Sequence, residues 1–170
     1  MARTLHPPRL RLATIVVLLL ALVAVPTLAA CGNDEKASKV EIVTRLGLAA
    51  GATKRWIVDP AREGGFAKGA QKRKRTIAKA VLAGGFTLRM LQKAKEEADQ
   101  DPKLRKLLPS IASATAAITA LKGALGGGDA GAISKLVGGG NPLDGLMSAA
   151  RGQGLDVKEE VPSAAKLAGG

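Results

Sequence analysis

Side chains that could act as nucleophiles, acids or bases occur in this sequence, but their spacing does not match a catalytic site. After residue 30 the chain contains serines at positions 38, 110, 113, 134, 148 and 163. This part of the chain has no histidine that could serve as their general base. Ser134 and Lys135 are adjacent on a predicted helix and so do not face each other. The paired carboxylates at 96–97 and 159–160 lie in polar surroundings, where both members should stay ionised. We therefore predict that the protein is not an enzyme.

The one cysteine of the chain, Cys31, stands where a different chemistry is expected. A start with three arginines and no acid precedes an uninterrupted apolar run over 12–25. That run suits the hydrophobic region of a signal peptide and is short for a membrane span of about 20 residues. It leads into Leu28-Ala29-Ala30-Cys31, which resembles the lipobox of bacterial lipoprotein precursors. The resemblance implies transfer of a diacylglyceryl group to the Cys31 sulfur, cleavage before Cys31, and membrane-embedded acyl chains such as palmitate.

Two other interpretations of the N-terminal segment are an ordinary secretory signal and an uncleaved anchor. All three place the protein outside the cytoplasm. The lipobox resemblance predicts a signal peptide at 1–30, a lipidated cysteine with a polar tether at 31–37, and an extracytoplasmic protein anchored to the cell membrane. A tether this short should hold the domain close to the membrane.

Removal of residues 1–30 leaves 140 residues, the size of one domain, with 23 basic and 14 acidic residues and a net charge of +9. This part of the chain contains no histidine, and Cys31 is its only thiol. Because imidazole and thiolate are the usual ligands of transition metals, we expect no metal site and no cofactor. A disulfide within the chain is excluded.

Positive charge is concentrated between Lys54 and Lys79, which enclose nine basic and two acidic residues and so carry +7 of the +9. The centre of this basic segment is the run Lys72-Arg73-Lys74-Arg75. It falls at the N-terminal end of a predicted helix, where the helix dipole makes each cation unfavourable by about 0.3 kcal/mol or more. Helix stability therefore does not account for the pattern, unless the helix begins later, with Thr76 as its cap.

The basic segment has two interpretations, a solvated face that aids solubility and a site for an anionic partner. For a lipid-anchored protein, the nearest anions are phospholipid head groups and, in a Gram-positive envelope, teichoic-type polymers. Each cation near an anionic surface can add about 1 kcal/mol. Nucleic acid is not expected, because the run lacks interleaved aromatic residues for stacking and lies outside the cytoplasm. The predicted anionic-surface site consists of Lys68, Lys72, Arg73, Lys74, Arg75 and Lys79.

Glycine and proline divide the rest of the chain into short helical segments. Helices are predicted at 39–50 (running on to Val58), 70–99, 107–121, 130–137 and 142–151, with a short strand at 55–58 as the one alternative. In the longest helix the apolar stripe is Ile77, Val81, Leu88 and Leu91. The predicted fold is a small all-α domain over 38–151. Weak periodicity predicts a flexible C-terminal tail at 152–170.

The segment 107–121 contains no charge. It is short for a membrane span and rich in Ser and Thr, so a buried central helix is favoured, with Ile111, Ile118, Leu121 and Leu125 on its packed face. The single tryptophan, Trp56, is interpreted as a core residue beside Ile57 and Val58, or else as an anchor at a membrane interface.

A second set of residues resembles a pattern seen in uncharacterised secreted proteins of high-GC Gram-positive bacteria, to which no activity is attached. It comprises Trp56-Ile57, Pro60, Gly65-Phe66, Lys68-Gly69-Ala70, Arg73, Asp101-Pro102 and Leu104. The predicted function is a non-catalytic, lipid-anchored envelope protein whose basic segment contacts an anionic surface or a protein partner. The alternative is a membrane-active or interaction module that inserts the uncharged 107–121 helix into lipid or a partner.

Overall fold

The computed structural model describes residues 33–169, with the side chains of 39–169. The predicted signal peptide and Cys31 lie outside the described residues. The chain divides into two compact units, Met1–Asp34 and Glu35–Gly170, and the second holds the helical fold.

Helices make up most of the described residues, which contain no β-strand, so the predicted all-α class is confirmed. In chain order the helices are α1 (Asn33–Thr53), α2 (Asp59–Arg62), α3 (Arg73–Gln100), α4 (Leu108–Gly127), α5 (Ala130–Val137), α6 (Asp144–Gly152) and α7 (Ala164–Gly169). A π-helical turn at Lys54–Val58 joins α1 to α2, so the alternative of a strand there is wrong. A 3₁₀ turn at Leu104–Leu107 precedes α4.

The last eight residues of α1 are enclosed by the rest of the fold. Every residue over 46–53 is buried, and five of these eight positions are Ala or Gly. A Cβ at Gly47 would lie 2.3 Å from the Lys158 carbonyl oxygen, and a Cβ at Gly51 would lie 2.0 Å from that of Glu160. The two glycines therefore let the backbone of the C-terminal segment cross directly over the helix.

Helix α1 begins at Asn33 rather than at the predicted residue 38–39. The residues expected to form a tether at 31–37 are therefore helical from Asn33 onward. At 21 residues and about 1.5 Å per residue, α1 is about 30 Å long.

Helices α3 and α4 pack against each other as an antiparallel hairpin. The predicted stripe on α3 faces the core: Leu91 is buried, and Ile77, Val81 and Leu88 are half-buried and pack against the core. The buried positions of α3 are mostly small, namely Ala80, Ala83, Gly84, Thr87, Ala94 and Ala98, with the larger Phe86, Met90 and Leu91 among them. Small side chains let the axes of packed helices come closer together, so this face of α3 allows a close neighbour.

Helix α4 packs through one face. Ile111, Ile118, Leu121 and Leu125 are buried, as predicted, but its opposite face is exposed. The prediction of a central buried helix at 107–121 is therefore wrong. Within the described part, Leu104–Gly127 is long and apolar enough to cross a membrane, and 28% of its most apolar window is buried in the fold.

The segment after α6 follows a defined path over α1. Leu155, Val157 and Leu167 are buried, and the Glu160 N–H donates to the Gly47 carbonyl at 3.0 Å. The segment expected to form a tail at 152–170 is therefore fixed to the fold at these positions, while most of its other described residues are exposed. The predicted flexibility concerns motion, and it stays a prediction.

Candidate anion-contact site

The basic segment starts in the π-helical turn, continues through α2 and the loop 63–72, and ends in the second turn of α3. Within the loop, the Gly65 N–H donates to the Pro60 carbonyl at 2.8 Å, and Gly64 and Gly69 have positive φ angles of 71° and 90°. Phe66 is 2% exposed and fixes the loop to the core. The loop therefore holds its cations at the surface beside the start of α3.

Arg73, one of the predicted site residues, is engaged within the fold. Its Nε donates to the Phe66 carbonyl at 2.8 Å, and its Nη2 donates to the Gly128 carbonyl at 2.6 Å. Gly128 ends α4 with a φ of 65°, and carbonyls at a helix C-terminus carry partial negative charge that favours a cation. Arg73 therefore links the loop to the end of α4. Its guanidinium is less available to bind an external anion than the side chains of its neighbours.

Four of the predicted residues, Lys68, Lys72, Lys74 and Arg75, are exposed, and we refer to them as the basic cluster. Among the described residues, none of the four has an acidic partner within ion-pair distance. Lys68 lies in the loop, and the other three lie at or beside the first turn of α3. The cluster therefore presents uncompensated positive charge to solvent.

Lys72 has a left-handed backbone, with φ 59° and ψ 18°, and is the only described non-glycine residue with a positive φ. This conformation costs an L-amino acid about 1–2 kcal/mol, and glycine would avoid most of that cost. The Lys72 carbonyl accepts the Thr76 N–H at 3.0 Å and so starts the helix. Strained backbones concentrate at functional positions, which favours a role for the exposed side chain.

The start of α3 adds to the positive potential of the basic cluster. The helix begins at Arg73, so the alternative of a later start with Thr76 as cap is wrong. Its first turn contains no acidic residue, and Lys72 provides no side-chain cap. The first N–H groups of a helix lack intrahelical acceptors and carry the positive end of the dipole. The cluster and the helix end thus attract the same class of ligand, an anion.

Lys79 lies apart from the basic cluster, beside Trp56. Its Nζ is 4.9 Å from the centroid of the indole ring, and the guanidinium carbon of Arg55 is 5.7 Å from it, both within the reach of a cation–π interaction. These three residues, with Pro60 and Thr76, line a cavity of about 140 Å³. The sequence did not connect Arg55 and Trp56 with Lys79, because the contact joins two elements more than 20 residues apart.

Lys54, at the start of the segment, is paired with the C-terminal segment. Its Nζ lies 2.7 Å from Glu159 Oε2. The hydrogen bond and the charge of Glu159 raise the pKa of the Lys54 ammonium. Lys54 therefore helps to hold the C-terminal segment, and its charge is partly neutralised.

The outward face of α4 is the second candidate surface. Its exposed residues include the small, uncharged Ala112, Ser113, Ala116, Thr119 and Ala120, and Lys122, which is also exposed, is the one charged residue of α4. No glycine at the end of this helix, at 123, 126 or 127, has a neighbour within 4 Å of an added Cβ. At one edge of this face, Ser113 lines a cavity of about 160 Å³ together with Ser110, Pro142 and Gly145.

No protein-family model, curated protein or solved structure shows a significant match to this chain. Among the described residues, no group of three or more His, Cys, Asp or Glu side chains is placed to hold a metal ion.

Proposed function

We propose that the protein is a non-catalytic, lipid-anchored protein of the cell envelope whose basic cluster contacts an anionic surface. The anchor is the diacylglyceryl group on Cys31. The contacted surface is made of phospholipid head groups or of an anionic envelope polymer. The observation that supports this proposal most strongly is the set of four exposed cations without acidic partners at the positive end of α3.

Helix α1 is about 30 Å long, and the basic segment begins directly after its C-terminal end. The short tether predicted at 31–37 therefore does not by itself place the basic cluster at the membrane.

Vesicle binding tests the electrostatic contact. The protein for this test is residues 31–170 with Cys31→Ser, which contains the whole compact unit Glu35–Gly170 and carries no lipid. It should cosediment with vesicles containing phosphatidylglycerol at low salt and much less with phosphatidylcholine vesicles. Since each cation adds about 1 kcal/mol, replacing all four cluster residues with Gln should weaken binding at least about tenfold.

A matched variant controls for net charge. Lys93, Lys95, Lys106 and Lys135 are exposed and lie outside the basic segment, so their replacement with Gln removes the same charge elsewhere. Arg73 stays unchanged in both variants because its loss would disturb the fold. Equal weakening by the two variants would show that only net charge matters, and unchanged binding by the cluster variant would reject the contact site.

The lipid anchor has a separate test. Mass spectrometry of the N-terminus of the native protein should find a diacylglyceryl group on Cys31. An intact Met1, or cleavage without lipid, would reject the anchor and leave the other two interpretations of the N-terminal segment.

A second candidate function uses the outward face of α4, which is exposed and has Lys122 as its one charged residue. We propose as the alternative that this face inserts into lipid or packs on a protein partner. Ala116→Lys would then abolish vesicle leakage or partner binding while leaving stability nearly unchanged. A monomeric protein that causes no leakage and shows strong hydrogen-exchange protection across 107–121 would reject this alternative.

A further inference from the structure

Trp56 packs against the hydrophobic core, as predicted, but only part of its side chain is covered. It is half-buried, whereas the next two residues, Ile57 and Val58, are buried and hold the π-helical turn against the core. Thr76, which lines the Trp56 cavity, directly follows Arg75 of the cluster. The cavity at the ring therefore reaches the residue of α3 that follows the basic cluster in sequence.

The polar groups around the ring are all suited to an anion. Arg55 and Lys79 lie 5.7 Å and 4.9 Å from the ring centroid, and no acidic side chain lines the cavity. The indole Nε1 is buried and has no hydrogen-bond acceptor among the described residues. A buried donor without a partner is unfavourable, so the indole N–H has no protein hydrogen bond to lose and one to gain at a new acceptor.

We propose that Trp56, with Arg55 and Lys79, is the membrane-interface anchor of this protein, binding at the level of anionic phospholipid head groups. The inference rests on the proposed function and deepens it, since it selects the lipid surface over a soluble polymer. The two cations lie beside head-group phosphates, and the indole ring lies at the boundary of the acyl region, where amphipathic aromatic rings accumulate.

The apolar ring is the reason for choosing the bilayer. A soluble polyphosphate ester can neutralise Arg55 and Lys79, but it offers no apolar phase for the indole. A head group supplies both a phosphate and adjoining hydrocarbon. Contact of the indole N–H with a head-group oxygen requires the side chains around it to move, and the two cations beside the ring stand on flexible stems.

Intrinsic fluorescence reports on this site alone, because the chain contains one tryptophan and no tyrosine. For residues 31–170 with Cys31→Ser, phosphatidylglycerol vesicles should shift the Trp56 emission to shorter wavelength and protect it from acrylamide. Lipids brominated near the head of the acyl chain should quench it. Phosphatidylcholine vesicles, glycerol phosphate and soluble poly(glycerol phosphate) should leave the emission unchanged.

The outcomes separate this proposal from the one that it rests on. Cosedimentation with anionic vesicles without any change in Trp56 emission or quenching would overturn the anchor and leave the proposed function standing. Absence of cosedimentation would overturn both the Trp56 anchor and the proposed contact of the basic cluster with a lipid surface. An equal emission shift with glycerol phosphate or its polymer would show an anion site without a membrane role, and would also overturn the proposal.

Variants test the two parts of the site. Trp56→Phe keeps a ring and removes the N–H, and should weaken vesicle binding about fivefold, the fold-change for one net hydrogen bond. Leu136→Ala, which trims another exposed apolar side chain, should leave binding unchanged. Arg55→Gln with Lys79→Gln should lose most of the emission shift, whereas Lys93→Gln with Lys95→Gln should keep it. If both pairs behave alike, the cations beside the ring have no special role.

Discussion

Two segments rich in alanine and glycine have opposite surroundings in this fold. The segment 46–53 of α1 is buried at every position, whereas α4 is buried on one face and exposed on the other. Both segments are apolar. The segment 46–53 contains no charged residue, and the first charged residue of α4 is Lys122. Hydropathy therefore does not distinguish them.

The difference lies in what approaches the small residues. Over α1, the backbone of the C-terminal segment comes so close that a Cβ at Gly51 would meet the Glu160 carbonyl oxygen at 2.0 Å. Around α4, an added Cβ at Gly123 meets nothing within 4 Å. Glycine in the first case makes a contact feasible, and in the second it only weakens the helix.

The largest expected effect is that of Gly51→Ala. The new Cβ overlaps backbone atoms, which cannot move as a side chain would, so we expect a loss of about 3 kcal/mol or more in the free energy of unfolding. Urea denaturation followed by circular dichroism measures this change. A variant as stable as the native protein would show that the C-terminal segment does not lie over α1.

A smaller effect is expected from the buried hydroxyl pair that joins α1 to α3. Thr53 and Thr87 are fully buried, with their Oγ1 atoms 3.1 Å apart. Thr87→Val leaves the Thr53 hydroxyl without this partner and should cost about 1–3 kcal/mol. Adding Thr53→Val should recover part of that loss. A double-mutant cycle by urea denaturation measures the coupling, and strictly additive losses would contradict it.

Glu97 on α3 should make the stability of the protein depend on pH. It lies beside Arg45, which directly precedes the buried segment of α1. It forms an ion pair with Arg45, and its second carboxylate oxygen is buried without a partner. Burial raises the pKa of the Glu97 carboxyl, and Arg45 opposes the rise. The native state thus holds this proton more tightly than the unfolded chain, and the stabilisation is complete below the ordinary value of 4.5 and is lost as the pH rises through the native pKa.

Glu97→Gln removes this titration. The stability of the native protein relative to the variant should therefore fall as the pH rises above 4.5, measured by urea denaturation at several pH values. Glu96→Gln changes an exposed neighbouring carboxylate and serves as the control. A difference between native protein and Glu97→Gln that stays constant with pH would contradict the expectation.

The smallest effect, and one of opposite sign, is expected from Gly123→Ala on α4. The position is helical, exposed and open, so the substitution should stabilise the protein by about 0.5–1 kcal/mol through helix propensity. Thermal and urea denaturation both measure this gain. A loss of stability would instead show that the outward face of α4 packs on a second molecule, which would support the alternative function.

The contacts made by the basic segment were predictable only in part. Its charge excess and the position of Lys72–Arg75 at a helix start follow from the sequence, and the structure places them there. The use of Arg73 as a tie to Gly128 does not follow, because it depends on where α4 ends in space. For the same reason Lys79 was grouped with the cluster, although its ammonium lies beside Trp56.

The sequence by itself determined that the described chain is helical, since glycine, proline and capping residues act over a few positions. Asp129 illustrates this, because its side chain accepts the Ala132 N–H at 3.0 Å and caps the start of α5, directly before the predicted helix at 130–137. The tertiary structure alone decided which apolar helix is enclosed and which is half exposed. That choice depends on close backbone contact between distant segments, such as 47–51 and 158–160. An extended segment that packs through its backbone produces no periodic pattern of apolar residues in the sequence.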